Sequence, residues 1–450
     1  MLLKRATENR PMRVGVIGCG KFAAMYLAQA PTTAGLHVMG IADLSPARAR
    51  AQLERVGWDK ARFGAASLGA AIDQGTTFIG DDVGALLAHP AVDVIVESTG
   101  HPPAAVRHAL MAFKAKKHVV MVTVEADAMV GPLLARRAAE AGVIYSLAYG
   151  DQPALICDLV DWARASGFEV TAAGRGHKWL ASYAQSTPET VWDHYGLTAE
   201  QARIGGMNPQ MFNSFLDGTK PAIECTAVAN GTGLTPAPGG LDFPPCGIDD
   251  LPHVMRPRAE GGMLDHVGQV EVVSSLERDG RPVPRDIRWG VWVVMKAPND
   301  YVKRCFKEYG MVTDASGSYG VMYKRWHLIG LELGISVASV ALRGESTGCP
   351  TGFRADAVAT AKRNLKAGET LDGEGGYTVY GRLMPAATSL AASALPIGLA
   401  HGVKLTRAVK QGATVTWADV AVDASDDVAA FRRDMERIFA AEAPRARAAE

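Results

Sequence analysis

The sequence predicts an α/β protein: an N-terminal Rossmann-type doubly wound sheet, an α+β second domain that carries the chemistry, and a small, mainly β terminal domain. Three observations lead there. An apolar strand runs straight into a glycine turn and a helix start at Arg13–Met25. Apolar strands then alternate with helical patterns as far as Leu147. After about Leu342 the composition shifts and a basic phrase occurs twice. At 450 residues the chain is too long for one ordinary core. We expect domains at 1–150, 151–342 and 343–450.

In the opening stretch Gly18 allows a tight turn and Gly20 lets backbone approach a pyrophosphate. Small Ala23 lets the helix pack closely on its strand. Cys19 lies between the glycines, and Lys21 and Phe22 open the helix whose N–H groups face the phosphates. A second apolar run, Leu36–Ala42, ends on Asp43, where a ribose acceptor belongs. Strand, glycines, helix and acid in register predict a dinucleotide site. Asp43 favours NAD, whereas Ser45, Arg48 and Arg50 supply a hydroxyl and two guanidinium groups for the extra phosphate of NADP. The residues leave that choice open.

Helix is expected at 47–56, 83–88 and 103–115, and strand at 77–80, 92–97, 117–123 and 142–147. Strand ends are where such sheets bind ligands, so Ser98, Thr99, Gly100 and His101, together with Thr123 to Asp127 including Glu125, are expected to flank the nicotinamide, with His101 at the cofactor ribose. Beyond Gly150–Pro153 the rhythm changes, and a helix at 154–165 followed by the segment 169–179 opens the second domain. It continues through one helix around Asn213–Cys225, a Pro/Gly-rich loop at 235–252, strands at 268–274 and 289–295, and a long apolar helix after Gly330. In the last part, 361–368 and 405–420 share a basic strand, a Lys-x-Gly turn and a further strand. A helix at 426–440 and a charged, frayed tail close the chain.

The second domain supplies Arg175, His177, Lys178, Lys220, Lys303, Arg304, Lys324, Arg325 and His327, cations in or near glycine-containing loops that suit an anion. Lys178, Lys220, Lys324 and His327 are favoured because apolar residues surround them. Glu224, four residues after Lys220, orients that lysine, moves a proton, or forms an ordinary helix pair. Glu125, Asp127 and Asp151 each follow a strand and offer oxygen to Mg2+ or Mn2+, but no ligand set is assigned.

Lys plus Arg and Asp plus Glu both total 47, giving no electrostatic reason to expect nucleic acid or an anionic membrane. Six widely spaced cysteines form no C-x-x-C pair and suit a reducing cytoplasm. The start reads as a leader to the first strand. The longest uncharged run, 383–400, holds two prolines and is no membrane span. A homo-oligomer, dimer or tetramer, is expected.

The first half resembles homoserine dehydrogenases. Gly18-Cys19-Gly20 matches their nucleotide turn, Val122–Asp127 aligns with their Val-Thr-Ala-Asn-Lys segment, and Gly150–Pro153 sits where they carry Gly-Gly-Ile-Pro. Ala126 stands where they have lysine. The terminal near-repeat resembles a SAF domain, a β-clip module. With Gly176–Trp179 and His327–Glu332, the whole resembles the 1-deoxy-D-xylulose 5-phosphate reductoisomerase-like family. That resemblance implies an NADPH-using, divalent-metal-dependent enzyme of isoprenoid precursor synthesis, converting a phosphorylated keto-sugar to 2-C-methyl-D-erythritol 4-phosphate. Two alternatives are an NAD(P)-dependent dehydrogenase of a sugar acid or hydroxy acid, and a non-catalytic nucleotide sensor.

Overall fold

Six strands that are buried on both faces explain the unbroken apolar runs of the first half. They are β1 (Met12–Ile17), β2 (Leu36–Ala42), β3 (Phe78–Gly80), β4 (Val94–Glu97), β5 (His118–Met121) and β6 (Tyr145–Leu147). All pair in parallel in the order β3-β2-β1-β4-β5-β6. The order reverses between β1 and β4, where Ile17 pairs with Glu97, so Gly18 and Ser98 emerge side by side at the crevice where such sheets bind ligands. Helices Lys21–Gln29, Pro102–Lys114 and Val124–Ala141 follow β1, β4 and β5. The computed structural model describes residues 1–204, 207–423 and 425–446. The chain divides into two compact units, the first comprising Met1–Cys157 with His327–Pro350, the second Asp158–Trp326 with Thr351–Glu450.

In the first unit, His327–Pro350 returns to the doubly wound core, where Leu333, Val337 and Val340 join the cluster around Val14, Val16 and Tyr26. The long helix expected after Gly330 is a short one, Gly334–Ala338, followed by one wide π turn at Ser339–Arg343.

The second unit is built on a mixed sheet, β11-β10-β7-β9-β8, formed by β7 (Glu169–His177), β8 (Thr235–Pro236), β9 (Gln269–Ser274), β10 (Val291–Lys296) and β11 (Tyr319–Lys324). One face carries Trp292, Val294 and Val321 onto Ile248, Leu251, Met255 and Leu264. The single helix expected around 213–225 is two, Pro209–Leu216 and Thr219–Thr232. Gly218 between them takes a φ of +90°, and buried Asp217 turns to Lys362 at 2.7 Å. That partner is remote in sequence, so no local pattern announces the break.

The terminal part contains small antiparallel sheets, β12 (Ala355–Ala361) with β14 (Val379–Pro385), and β13 (Thr370–Asp372) with β15 (His401–Leu405) and β16 (Val420–Ala421). The two copies of the repeated phrase pair with each other about a local two-fold. Leu365 and Val409 exchange backbone bonds, Gly368 N–H donates to Leu405, and Gly412 N–H donates symmetrically to Ala361. The closing helix spans Asp427–Ala446, so helix replaces the expected tail as far as 446. Positions 447–450 of that tail lie outside the described residues.

Candidate functional site

The glycine turn after β1 is shaped by its neighbours. Gly18 has a φ of +85°, and a side chain there would strike the backbone of Ser98 and Thr99 at 2.8–2.9 Å. A side chain on Gly20 would enter open space. Gly20 is also the N-cap of Lys21–Gln29 and provides no side-chain cap, so the helix start keeps N–H groups for a phosphate. These features fit a dinucleotide. Lys21 and the half-buried Phe22 open the helix, with Phe22 packed on the core.

Asp43 does not face outward as a ribose acceptor. Only 5% exposed, it accepts the Cys19 N–H at 2.8 Å and the Ser45 N–H at 2.8 Å, and it meets the Arg48 guanidinium at 3.0 and 3.3 Å. The Cys19 N–H is therefore spent on Asp43, and its buried thiol, pushed up to about 11 by burial and then by Asp43, points inward. Ser45 caps the next helix through Arg48 N–H, while Arg50 donates to Phe63 and Ile79 carbonyls rather than waiting for a ligand. Arg48 alone of this group has a largely exposed side chain.

Glu97, which local sequence shows only as the last residue of an apolar strand, organises the opposite side of the crevice. Fully buried at the end of β4, it accepts Thr99 Oγ1 at 2.7 Å and Thr123 Oγ1 at 2.5 Å, with His108 Nδ1 behind it at 3.2 Å. Thr123 Oγ1 in turn accepts the Gly100 N–H at 3.0 Å. An acid ending an apolar strand was the available signal. Ser98, buried, donates to the Ile17 and Gly18 carbonyls and so ties the turn. His101 caps the helix Pro102–Lys114 through Nδ1, 3.3 Å from Ala104 N. We expect Thr123→Val to cut kcat/KM about 10-fold by freeing Gly100 and leaving Glu97 short of a donor, with Thr123→Ser close to wild type in steady-state assays.

The three acids proposed for a metal do not assemble. Asp127 is buried inside its helix against Tyr145 Oη at 2.8 Å, and Asp151 Oδ1 accepts the Gln152 N–H at 3.0 Å. Glu125 stands in the first turn of its helix. Among the described residues, no group of three His, Cys, Asp or Glu could hold a metal ion. In the same unit Gln152 Nε2 and His327 Nε2 lie 2.9 Å apart, and glycines at 150 and 330 permit close packing there. A side chain on Gly150 would meet Leu328 O, and one on Gly330 would meet Phe22 O.

In the second unit, register places Arg175, Val291 and Lys324 on one rung of the sheet, so their side chains share a face. Arg175 is buried and ion-paired to Glu224 on Thr219–Thr232. Glu224 is thus the partner of Arg175 and not part of an exposed pair with Lys220, which is half-buried in the first turn of that helix. His177 Nε2 meets the Phe215 carbonyl at 2.6 Å, and burial followed by Arg175 holds the ring well below its ordinary range. It is a neutral imidazole with Nε2–H donated. Lys178 Nζ donates to the His194 carbonyl at 2.6 Å and is drawn down by burial and by Arg288. Lys303 pairs with Asp300 on a solvated helix, Arg304 stacks on Tyr301 and Arg325 on Trp326.

A parallel sheet in this order, with a glycine turn at its switch point and a second mixed α+β unit bearing buried cations, defines an NAD(P)-dependent oxidoreductase. Residues 14–147 match the model of the homoserine dehydrogenase NAD-binding domain, and residues 150–333 match that of the catalytic domain of oxidoreductase DRL. The two matched stretches follow one another along the chain. Among solved structures, the oxidoreductase yvaA of Bacillus subtilis is similar at 12% identity over 74% of this chain and 89% of that one, with a TM-score of 0.38. A dehydrogenase from Thermotoga maritima is similar at 14% identity, 74% and 90% coverage, and a TM-score of 0.34. Biliverdin reductase of Synechocystis sp. PCC 6803, solved with biliverdin and NADP+, shows 18% identity, 42% and 53% coverage, and a TM-score of 0.28. No curated protein matches the chain. No helix among the described residues is long and apolar enough to cross a membrane.

Proposed function

We propose that this oxidoreductase uses NADPH on a phosphorylated keto-sugar, with 1-deoxy-D-xylulose 5-phosphate as the substrate to try first: a carbon shift that breaks the C3–C4 bond and joins C4 to C2 turns C3 into an aldehyde, which takes the hydride to give 2-C-methyl-D-erythritol 4-phosphate. The observation that carries the reading is the arrangement at Asp43. Both carboxylate oxygens are engaged by backbone N–H groups and by Arg48, so the acid that would repel a 2′-phosphate is buried and neutralised, and an exposed guanidinium stands beside it.

NADPH, when bound, supplies the hydride. Gly18 and Gly20 leave room for the pyrophosphate, the start of Lys21–Gln29 offers N–H groups to it, and Arg48 meets the 2′-phosphate. Glu97 and Thr123 fix the Thr99–His101 loop at the nicotinamide end. In the catalytic domain, Arg175, held by Glu224, stiffens the end of β7, from which Lys178 is presented to the substrate. Lys220 and Lys324 are the other substrate-contacting residues of this reading in that unit. The protein works as a homo-oligomer in the cytoplasm.

The acids present among the described residues do not fit a divalent metal. The same observation favours a second reading, a dehydrogenase of a sugar acid or hydroxy acid without a carbon shift. Purified protein is expected to oxidise NADPH with the phosphorylated ketose. Arg48→Glu is expected to raise KM for NADPH roughly 10- to 100-fold while leaving KM for NADH nearly unchanged. Turnover of sugar acids alone, with equal use of both nucleotides, would reject the proposal.

A further inference from the structure

The loop before β10 crosses directly over β7 at Gly176. A side chain on that glycine would lie 1.9 Å from the Ile287 carbonyl oxygen and 2.8 Å from Arg288 N, and Gly176 N–H donates to the Gly290 carbonyl at 3.0 Å. Absence of a side chain at 176 therefore brings Arg288 down beside His177 and Lys178. The sequence hides Arg288 among Arg278, Arg281 and Arg285, which lie on the same solvent-rich stretch.

Two of the cations in this region are matched by carboxylates: Arg175 by Glu224 and Lys362 by Asp217. Lys178 and Arg288 have no carboxylate partner among the described residues. Lys178 Nζ uses one of its three donors on His194 O and sits 5.9 Å from the centre of the Tyr195 ring. The Arg288 guanidinium carbon sits over the Trp289 ring, 4.5 Å from its centre, and the Arg288 backbone N–H is held by Asp286 Oδ1 at 2.8 Å. The Tyr183 ring packs tilted against His194, centroids 4.6 Å apart, and both Tyr183 and Tyr195 lie within the field of Arg288. His177, whose Nε2–H is committed to Phe215, offers no donor on that side.

We propose that Lys178 and Arg288 form the subsite for the substrate's phosphate group, with Tyr183 and Tyr195 as its wall. This deepens the phosphorylated-substrate reading and rests on it for the identity of the ligand. Burial and then the neighbouring Arg288 charge disfavour the Lys178 ammonium, and a doubly charged oxyanion held between the two cations removes that penalty. A planar, singly charged carboxylate would leave one of the two uncompensated. Arg presents a bidentate fork to phosphate, while Lys supplies a point charge.

The test uses the full chain, with inorganic phosphate as the probe for binding and the phosphorylated ketose for kinetics. Phosphate at millimolar concentration is expected to raise the wild-type melting temperature, and to leave that of Arg288→Met unchanged. Arg288→Met should raise KM for the phosphorylated ketose about 10- to 100-fold with kcat within a few-fold, whereas KM for its unphosphorylated analogue stays put. Arg288→Lys should recover part of the loss, which separates charge from folding. Equal protection of wild type and Arg288→Met by phosphate, or equal KM changes for both sugars, would overturn the subsite. If no phosphorylated ketose is turned over yet phosphate still protects through Arg288, the subsite stands and the reaction assigned above falls.

Discussion

Arg175→Met is expected to lower the unfolding free energy by about 3–5 kcal/mol, because it leaves Glu224 as an uncompensated buried charge. The two side chains are 7% and 3% exposed, so water cannot replace the guanidinium. Arg175 also donates Nε–H to the Gly176 carbonyl at 3.1 Å, so the variant also loosens the backbone where the 287–288 loop crosses. In the variant Glu224 escapes its penalty only by taking a proton, which raises its folded-state pKa above the ordinary glutamate value of about 4.3. The folded variant then holds more protons than the unfolded chain, and its stability falls as pH rises above that value. Urea unfolding of Arg175→Met, Glu224→Leu and the double variant at two pH values checks this. The double variant should recover most of the loss, since replacing both partners by apolar groups removes the orphan. A single-variant loss below about 1 kcal/mol would show that the pair does not hold the sheet to the helix.

The nucleotide-binding half was legible because its determinants are local. A glycine with φ near +85°, strands buried on both faces and helices that start just beyond them are written in consecutive residues. What escaped there were side chains whose partners lie elsewhere in the sequence. The position of Asp43 predicts a ribose acceptor, yet Cys19 N–H, contributed by the preceding turn, claims it. Glu97 reads as the last residue of a strand until Thr123 is brought beside it by the parallel pairing of β4 with β5.

In the second unit the same rule holds more strongly. The helix break at Gly218 depends on Asp217 reaching Lys362, and helical spacing groups Glu224 with Lys220 although its ion pair is to Arg175 on β7. The terminal near-repeat is the instructive exception. Two similar phrases predicted two similar pieces, and the structure pairs them about Leu365 and Val409. Similarity of sequence here implied symmetry of pairing.

Asp127→Asn is expected to stabilise the protein at alkaline pH and change little near pH 4. Burial pushes the Asp127 carboxyl up to about 7, with the Tyr145 hydroxyl as a partial counterweight, and Oδ2 has no hydrogen-bond partner. A carboxyl raised in the folded state contributes stability that is fully present below its unfolded pKa, near 4, and is lost as pH climbs through about 7. Asn imitates the protonated acid and does not titrate. The stability difference between variant and wild type should therefore grow by about 2–3 kcal/mol from pH 5 to pH 8. Glu271, pushed up to about 8 by burial, adds a slope of the same sign, but it is present in both proteins and cancels in the difference. Urea unfolding across that range gives the comparison directly. A difference that stays flat with pH would mean that Asp127 is ionised in the folded state, and that the pocket around Tyr145 and Gly131 is wetter than its packing indicates.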